Sequence, residues 1–319
     1  MLLKFIDWFF YELLNLSPGN LWVEALHFFI YDTIKIFFLL FAMISVIGVL
    51  RSFLPQQRIK EWLGQQGIKS NFLASVFGAL TPFCSCSSIP IFLGFISAGA
   101  PLGVTFSFLI TSPIINEYLL VLMLGYFGWK ITLVYLLAGL LVGTSGGFIL
   151  GKMHLEEFLE RDLVKTDSPD AHKREFPGFL SRIKFGIEEA VLIIARIWIW
   201  IVAGVGIGAA IHNFVPKEMI ESVLQRTGIF SVPLAVLIGV PIYGSCAAIV
   251  PIAVALFQKG VPLGTAMAFM MAVSALSLPE AVILRRAMKL QLITAFFLVV
   301  FIYIVLIGYL LNFLQPLLL

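Results

Sequence analysis

The chain has 319 residues, 60% hydrophobic and only 12% charged, with a net charge of +3 and a mean hydropathy of +1.02. A soluble domain carries about 25% charged residues, so this composition excludes a surface that mostly faces water. No basic stretch is interleaved with aromatics, which leaves no footprint for a nucleic-acid partner, and the three cysteines, all in apolar stretches, do not make a disulfide framework.

The first residues place Lys4, Asp7, Tyr11 and Asn15 at helical spacing among Leu3, Phe5, Ile6, Phe9, Phe10, Leu13 and Leu14. Asp7 and Glu12 interrupt any signal-type apolar core, so the segment is expected to be an interfacial helix rather than a cleaved leader. Beyond it, the runs Ile34–Leu50, Ile131–Leu150, Val191–Ile211 and Leu292–Leu311 approach or reach the ~20 residues a helix needs to cross a bilayer. They are continuous rather than alternating, which selects helices over barrel strands.

Four hydrophobic segments make the first half: Thr33–Leu50, Phe72–Ser97 broken from Pro82 to Pro90, Pro101–Leu124 broken at Ser112-Pro113, and Ile131–Leu150. The second half has Val191–Ile211, Val232–Phe257 broken from Pro241 to Pro251, Pro262–Leu284 broken at Pro279, and Leu292–Leu311. The expected architecture is an all-α, polytopic membrane protein with about eight transmembrane segments in two internal repeats, its proline-broken helices re-entrant or kinked. Residues 1–150 hold the interfacial helix and first repeat, 151–189 a solvated linker of mixed charge, and 190–319 the second repeat.

The repeat is read from spacing. Phe53-Leu54-Pro55 followed by Gly67 matches Phe214-Val215-Pro216 followed by Gly228 at an offset of 161, and Gly99-Ala100-Pro101-Leu102-Gly103 meets Gly260-Val261-Pro262-Leu263-Gly264 at the same offset. Ser85-Cys86 pairs with Ser245-Cys246 at 160, with Gly244 opposite Cys84. Gly139, Gly143, Gly147 and Gly151 form a stripe that lets helix backbones approach closely in lipid.

Charge leaves orientation open. A linker on the inside agrees with the positive-inside tendency, but four crossings per half then send Arg51, Arg58, Lys60 and Lys69, with Arg285, Arg286 and Lys289, to the other side. Re-entrant hairpins change the parity: an odd number of crossings per half inverts the repeats, an even number leaves them parallel.

Helix breakers at membrane depth are tolerated where backbone is buried in protein or lines a water-filled cavity. Pro82, Pro90, Pro241 and Pro251, at matched places in the two halves, therefore point to a binding site at the repeat interface, and Pro113 and Pro279 are further helix breaks. Cys84 and Cys86, joined by Cys246, fall short of a closed zinc site, so no metal is expected; an open set of thiols suits a soft, thiophilic solute. Ser85, Ser87, Ser245 and Asn116 add hydrogen-bonding groups, and Glu117 and Glu280 are carboxylates within apolar segments, where a low dielectric favours the neutral form and a proton is the natural coupling ion. The plainer readings are kinked helices with serines satisfying the backbone, small buried cysteines, and glutamates near an interface with Glu280 paired to Arg285 or Arg286.

The segment Thr81-Pro82-Phe83-Cys84-Ser85-Cys86-Ser87-Ser88-Ile89-Pro90, then Gly99 to Pro113, and later Ser277-Leu278-Pro279-Glu280, resembles the YraQ/ArsP family of predicted permeases. The likeness runs from about Thr33 to Gly308 and is closer to the YraQ branch. It implies a multi-pass permease of the plasma membrane rather than an enzyme, with Thr81–Cys86 as its motif and the soft organoarsenical solutes of the ArsP branch as a chemical guide. The expectation is a secondary permease for a small thiophilic or sulfur-containing solute, without cofactor, in which Cys84, Cys86 and Cys246 touch the solute and Glu117 or Glu280 carries a proton. Two alternatives stand beside it: a small-anion or glutathione-like permease using half-helix N-termini with Lys35 or Arg196, and a membrane thiol oxidoreductase cycling the three cysteines. The sequence is silent on oligomeric state.

Overall fold

A computed structural model describes residues 6–13, 21–51, 67–81, 85–97, 99–159, 178–214, 227–242, 246–285 and 287–318. All regular structure among them is helical, apart from one isolated bridge between Leu159 and Met288. In chain order, a π-helical turn at Trp8–Leu13 precedes α1 (Leu21–Arg51), α2 (Ile68–Leu80), α3 (Ser85–Ser97), α4 (Leu102–Ile114) and α5 (Glu117–Lys152). Then come α6 (Phe179–Phe214), α7 (Ser231–Gly239), α8 (Cys246–Gln258), α9 (Leu263–Ala275), α10 (Leu278–Leu284) and α11 (Leu290–Leu318).

The bounds recur along the chain. Ser85 and Cys246, Leu102 and Leu263, and Glu117 and Leu278 open helices 161 residues apart, and α11 opens at Leu290, 161 beyond Trp129. Trp129 follows Gly128, whose φ of 79° and ψ of 175° interrupt α5 where a turn separates α10 from α11. Gly99 and Gly260, with φ of 80° and 90°, take the left-handed conformation before each Pro101 or Pro262 cap, a backbone state that glycine adopts without steric cost. This register places Cys246 opposite Ser85, not opposite Cys86 as the motif alone suggests.

Length divides the helices into two classes. Among the described residues, three helical stretches are long and apolar enough to cross a membrane: Leu119–Lys152, Leu263–Leu284 and Leu290–Leu317. Helices α2, α3, α4 and α8 have 13 residues each, about 20 Å at 1.5 Å per residue against a hydrocarbon core of about 30 Å. Each reaches roughly two-thirds of the way across.

Every residue of α4 and of α9 is buried, and these two helices pack against each other at the centre. Helix α4 packs on α2, α3 and α5, as α9 packs on α7, α8 and α11. Small residues make this possible: a Cβ on Gly103 would lie 2.8 Å from the Gly147 carbonyl oxygen and 2.9 Å from the Gly151 Cα. The expected stripe on α5 faces α4, because a Cβ on Gly139 would strike Ile115, one on Gly143 would strike Thr111 and one on Gly147 would strike Ser107. Gly264 and Gly308 make the corresponding approach between α9 and α11.

The outer shell is lipid-like in composition: Trp22, Phe38, Phe72, Leu80, Val121, Trp129, Leu180 and Phe313 are exposed large apolar groups. At the N-terminus, the Asp7 carboxylate meets the His27 ring nitrogen at 2.8 Å, and Phe10 packs edge-on against the same ring, tying the first turn to α1. Residues 151–189 are partly structured: Lys289 donates its backbone N–H to the Phe158 carbonyl at 2.8 Å, and α6 already begins at Phe179.

Candidate functional site

Pro82, Cys84 and Ser245 lie outside the described residues, as do the side chains of Ser85, Cys86, Ser87, Pro90, Cys246 and Pro279. The helices that carry them are nevertheless placed. Ser85 and Cys246 are the first residues of α3 and α8, so the cysteine motif opens one short helix and Cys246 the other. Pro241 immediately precedes the gap between α7 and α8.

Pro90 and Pro251 do not break helices: each is the sixth residue of a helix that runs through it. Proline has no N–H, so the carbonyls four residues earlier, those of Cys86 and Ala247, lose their intrahelical donors while the helices continue. Pro113 likewise sits inside α4, one residue before its end, and the chain leaves the helix at Ile115. Pro279 falls in the first turn of α10, where a missing N–H costs nothing.

The junction between α4 and α5 is fully buried and hydrogen-bonded. Asn116, buried, caps α5 by accepting the Leu119 N–H at 2.8 Å, and Tyr135 donates its hydroxyl to the Ile114 carbonyl at 2.9 Å. A buried carbonyl at a helix end would otherwise lack a partner. Ser88 on α3 and Ser112 on α4 join through their hydroxyl oxygens at 2.8 Å, both with no exposed surface. Ser107 and Thr111 donate back to carbonyls of their own helix, completing a hydroxyl row along α4.

The second half repeats the junction with different chemistry. Ser277, 161 residues after Asn116, caps α10 by accepting the Glu280 N–H at 3.4 Å. Ser277-x-x-Glu280 is the capping-box spacing, a signal that the sequence carries in the open. The Leu278 N–H reaches back to the Val240 carbonyl at 2.9 Å, so the start of α10 is fastened to the C-terminal end of α7.

The two glutamates are separated by this register. Glu117 is exposed at the first residue of α5, and its counterpart is Leu278; Glu280 is 1% exposed, and its counterpart is the fully buried Leu119. One buried position thus holds leucine in the first half and a carboxylate in the second. Arg285 is exposed and donates Nη1 to the Met288 carbonyl at 3.1 Å, while Arg286 lies outside the described residues. Lys35 holds its ammonium 5.5 Å over the Tyr31 ring, and the side chain of Arg196 is not among those described.

The halves exchange partners at these junctions. Helix α10, bearing Glu280, packs against α3 of the first half, and α8 packs against α5. Phe127 and Phe257, with centroids 5.8 Å apart, mark the second contact. Sequence reading missed the buried methionines Met267, Met270 and Met271 of α9; their signal was only a run of apolar residues in a segment taken as core. Among the described residues no cluster of three His, Cys, Asp or Glu is placed to hold a metal.

A family profile described as a predicted permease, ArsP_1, matches residues 21–313. The protein YraQ of Escherichia coli (strain K12) is 27% identical over 281 residues, covering 86% of this chain and 77% of its own. YcgR of Bacillus subtilis (strain 168) is 27% identical over 192 residues, covering 58% and 63%, and a protein of Methanocaldococcus jannaschii is 23% identical over 299 residues, covering 76% and 82%. No solved structure matches the chain. With helices long and apolar enough to cross a bilayer and a match over nearly the whole length, the chain is a membrane protein and belongs to the ArsP_1 family of predicted permeases, transporters rather than enzymes.

Proposed function

We propose that the protein is a multi-pass secondary permease of the cell membrane that moves a small thiophilic or sulfur-containing solute through a site between two duplicated halves. The observation that carries this reading is the crossed packing of the halves: α10, which bears the buried Glu280, packs against α3, the helix that opens at the cysteine motif, and α8, the helix that opens at Cys246, packs against α5. Short helices that start and stop inside the protein present backbone and hydroxyl groups where a continuous helix would hide them. Recurring helix bounds and caps support the duplication, and about eight segments, some re-entrant, accommodate the short helices.

In this reading the thiols of Cys84, Cys86 and Cys246 displace hydroxide or thiolate ligands from a soft centre such as trivalent organic arsenic, each new As–S bond releasing a water or a free thiol that takes the cysteine proton, and Ser85, Ser87, Ser245 and Asn116 orient the solute. Soft thiolate donors select soft partners. The carbonyls of Cys86 and Ala247, released by Pro90 and Pro251, add acceptors at the same level. Glu280 is the proton carrier, because its carboxyl is buried on the helix that faces α3, whereas the exposed Glu117 stands where a proton enters or leaves.

The test is uptake or efflux of a trivalent organoarsenical in proteoliposomes with and without a pH gradient. The Cys84→Ser, Cys86→Ser double variant is expected to lose transport; transport at the wild-type rate sinks thiol recognition. Transport indifferent to the gradient in the wild type removes the proton from the mechanism.

A further inference from the structure

We propose that the cleft between the N-termini of α2 and α4 and the C-terminus of α5 binds a phosphate group. The cleft is lined by none of the residues of the cysteine motif and does not rest on the transport reading. The cleft has a volume of about 120 Å³ and is lined by Gly67, Asn71, Gly103, Phe148, Gly151 and Lys152.

The argument begins with the equivalent place in the second half. There the first N–H groups of α9 are occupied by side chains of α11: Leu263 donates to the Gln315 Oε1 at 2.9 Å and Gly264 to the Asn312 Oδ1 at 2.7 Å. The first four N–H groups of a helix have no intrahelical acceptor, so a partner must come from elsewhere. In register, 161 residues earlier, Asn312 is replaced by Gly151 and Gln315 by His154, which lies beyond the end of α5 with a φ of 49°. Pro101 offers no side-chain cap, and Leu102 and Gly103 make no hydrogen bond through their N–H groups among the described residues. Two side-chain oxygen acceptors are therefore missing in the first half, and an open cleft stands in their place.

Asn71 is the second, independent observation. It is 3% exposed and lines the cleft; its Oδ1 accepts the Ser107 hydroxyl at 3.2 Å, while its amide nitrogen has no partner. The residue in register with it is Val232, which carries no such group. Lys152 supplies charge: its ammonium sits 4.6 Å over the Phe148 ring at the mouth of the same cleft.

Every unspent group here is a donor. Two free backbone N–H groups at a helix N-terminus, a carboxamide N–H and an ammonium converge on one small volume, the pattern that recognises an oxyanion. A phosphate offers the several acceptor oxygens they require, whether it is free inorganic phosphate or the headgroup of an anionic lipid.

The experiment uses the full-length protein purified in detergent. Inorganic phosphate is titrated while thermal unfolding is followed, and native mass spectrometry compares retention of phosphatidylglycerol with that of diacylglycerol, which lacks the phosphate. A site for the free ion shows a saturable rise in unfolding temperature with inorganic phosphate; a headgroup site retains phosphatidylglycerol over diacylglycerol. In either case Lys152→Gln, at an exposed position where folding is not at risk, and Asn71→Val, which copies the second half, each weaken binding about tenfold, the worth of one charge-assisted hydrogen bond. Response to neither probe overturns the proposal, as does wild-type binding by both variants.

Discussion

At the start of α9, Asn312 and Gln315 reach across from α11 and take the first two N–H groups; at the start of α4, the same two groups face a glycine and a cleft. At the next junction the relation is reversed in kind. Asn116 caps a helix whose buried third position is Leu119, whereas Ser277 caps one whose buried third position is Glu280. The starts of α3 and α8, of α4 and α9 and of α5 and α10 recur at a spacing of 161 residues, as do the left-handed Gly99 and Gly260 and the caps Pro101 and Pro262. Polar side chains at helix ends are what differ, which locates chemical asymmetry at the few places where a short helix leaves donors, acceptors or a carboxylate inside the protein.

The strongest way to break this comparison is at its shared seam. Gly147→Leu forces a side chain into Ser107 and the Gly103 carbonyl, and Gly308→Leu does the same against Ala268 and Val232. Each is expected to cost about 3 kcal/mol or more through overpacking, read as a large drop in unfolding temperature or loss of monodisperse protein. Similar losses in both halves support a common α4–α5 and α9–α11 geometry; a loss in one alone breaks it.

Next comes the carboxylate asymmetry. Glu280→Gln is expected to reduce pH-gradient-driven transport about tenfold or more, equivalent to ~1.4 kcal/mol on the barrier, while Glu117→Gln stays within about twofold. The opposite ranking in vesicle assays would assign the proton to the exposed residue.

Smaller effects test the hydrogen bonds. Tyr135→Phe removes the donor to the Ile114 carbonyl and is expected to cost about 2 kcal/mol of stability, because a buried acceptor is left without its partner. Asn312→Ala, which empties the cap on Gly264, is expected to cost about 1 kcal/mol and to make the second half resemble the first. Asn116→Ala and Ser277→Ala should each cost about 1 kcal/mol as lost N-caps. Chemical denaturation in detergent ranks these variants, and a Ser277→Ala cost far above that of Asn116→Ala would show that the Glu280 turn depends on its cap more than the α5 turn does.

Much of the fold was legible because bilayer physics writes it into composition. Runs such as Ile131–Leu150 and Leu292–Leu311 announce long helices by length alone, and α5 and α11 contain them. Breaks near Pro82, Pro113, Pro241 and Pro279 were readable because proline and its neighbours cannot continue a helix ladder. Their detail was not. Pro90 and Pro251 stay within helices because a helix surrounded by partners tolerates one missing N–H, a fact of packing that no local pattern encodes. The two glutamates looked equivalent because each follows a proline in an apolar segment; a shift of two residues in register puts one on the surface and the other in the interior.

By itself, the sequence determined that this chain is helical, that it lives in a membrane, and that helix breakers and glycines recur in its halves. Each follows from a local rule: hydrophobic length, proline chemistry and the close approach glycine permits. Tertiary structure alone decided that α4 and α9 form the buried centre, that α10 crosses to α3, and which helix N-termini are filled. The reason is that a donor is satisfied or left open by whichever side chain another helix delivers, and that delivery depends on three-dimensional register rather than on neighbours in sequence.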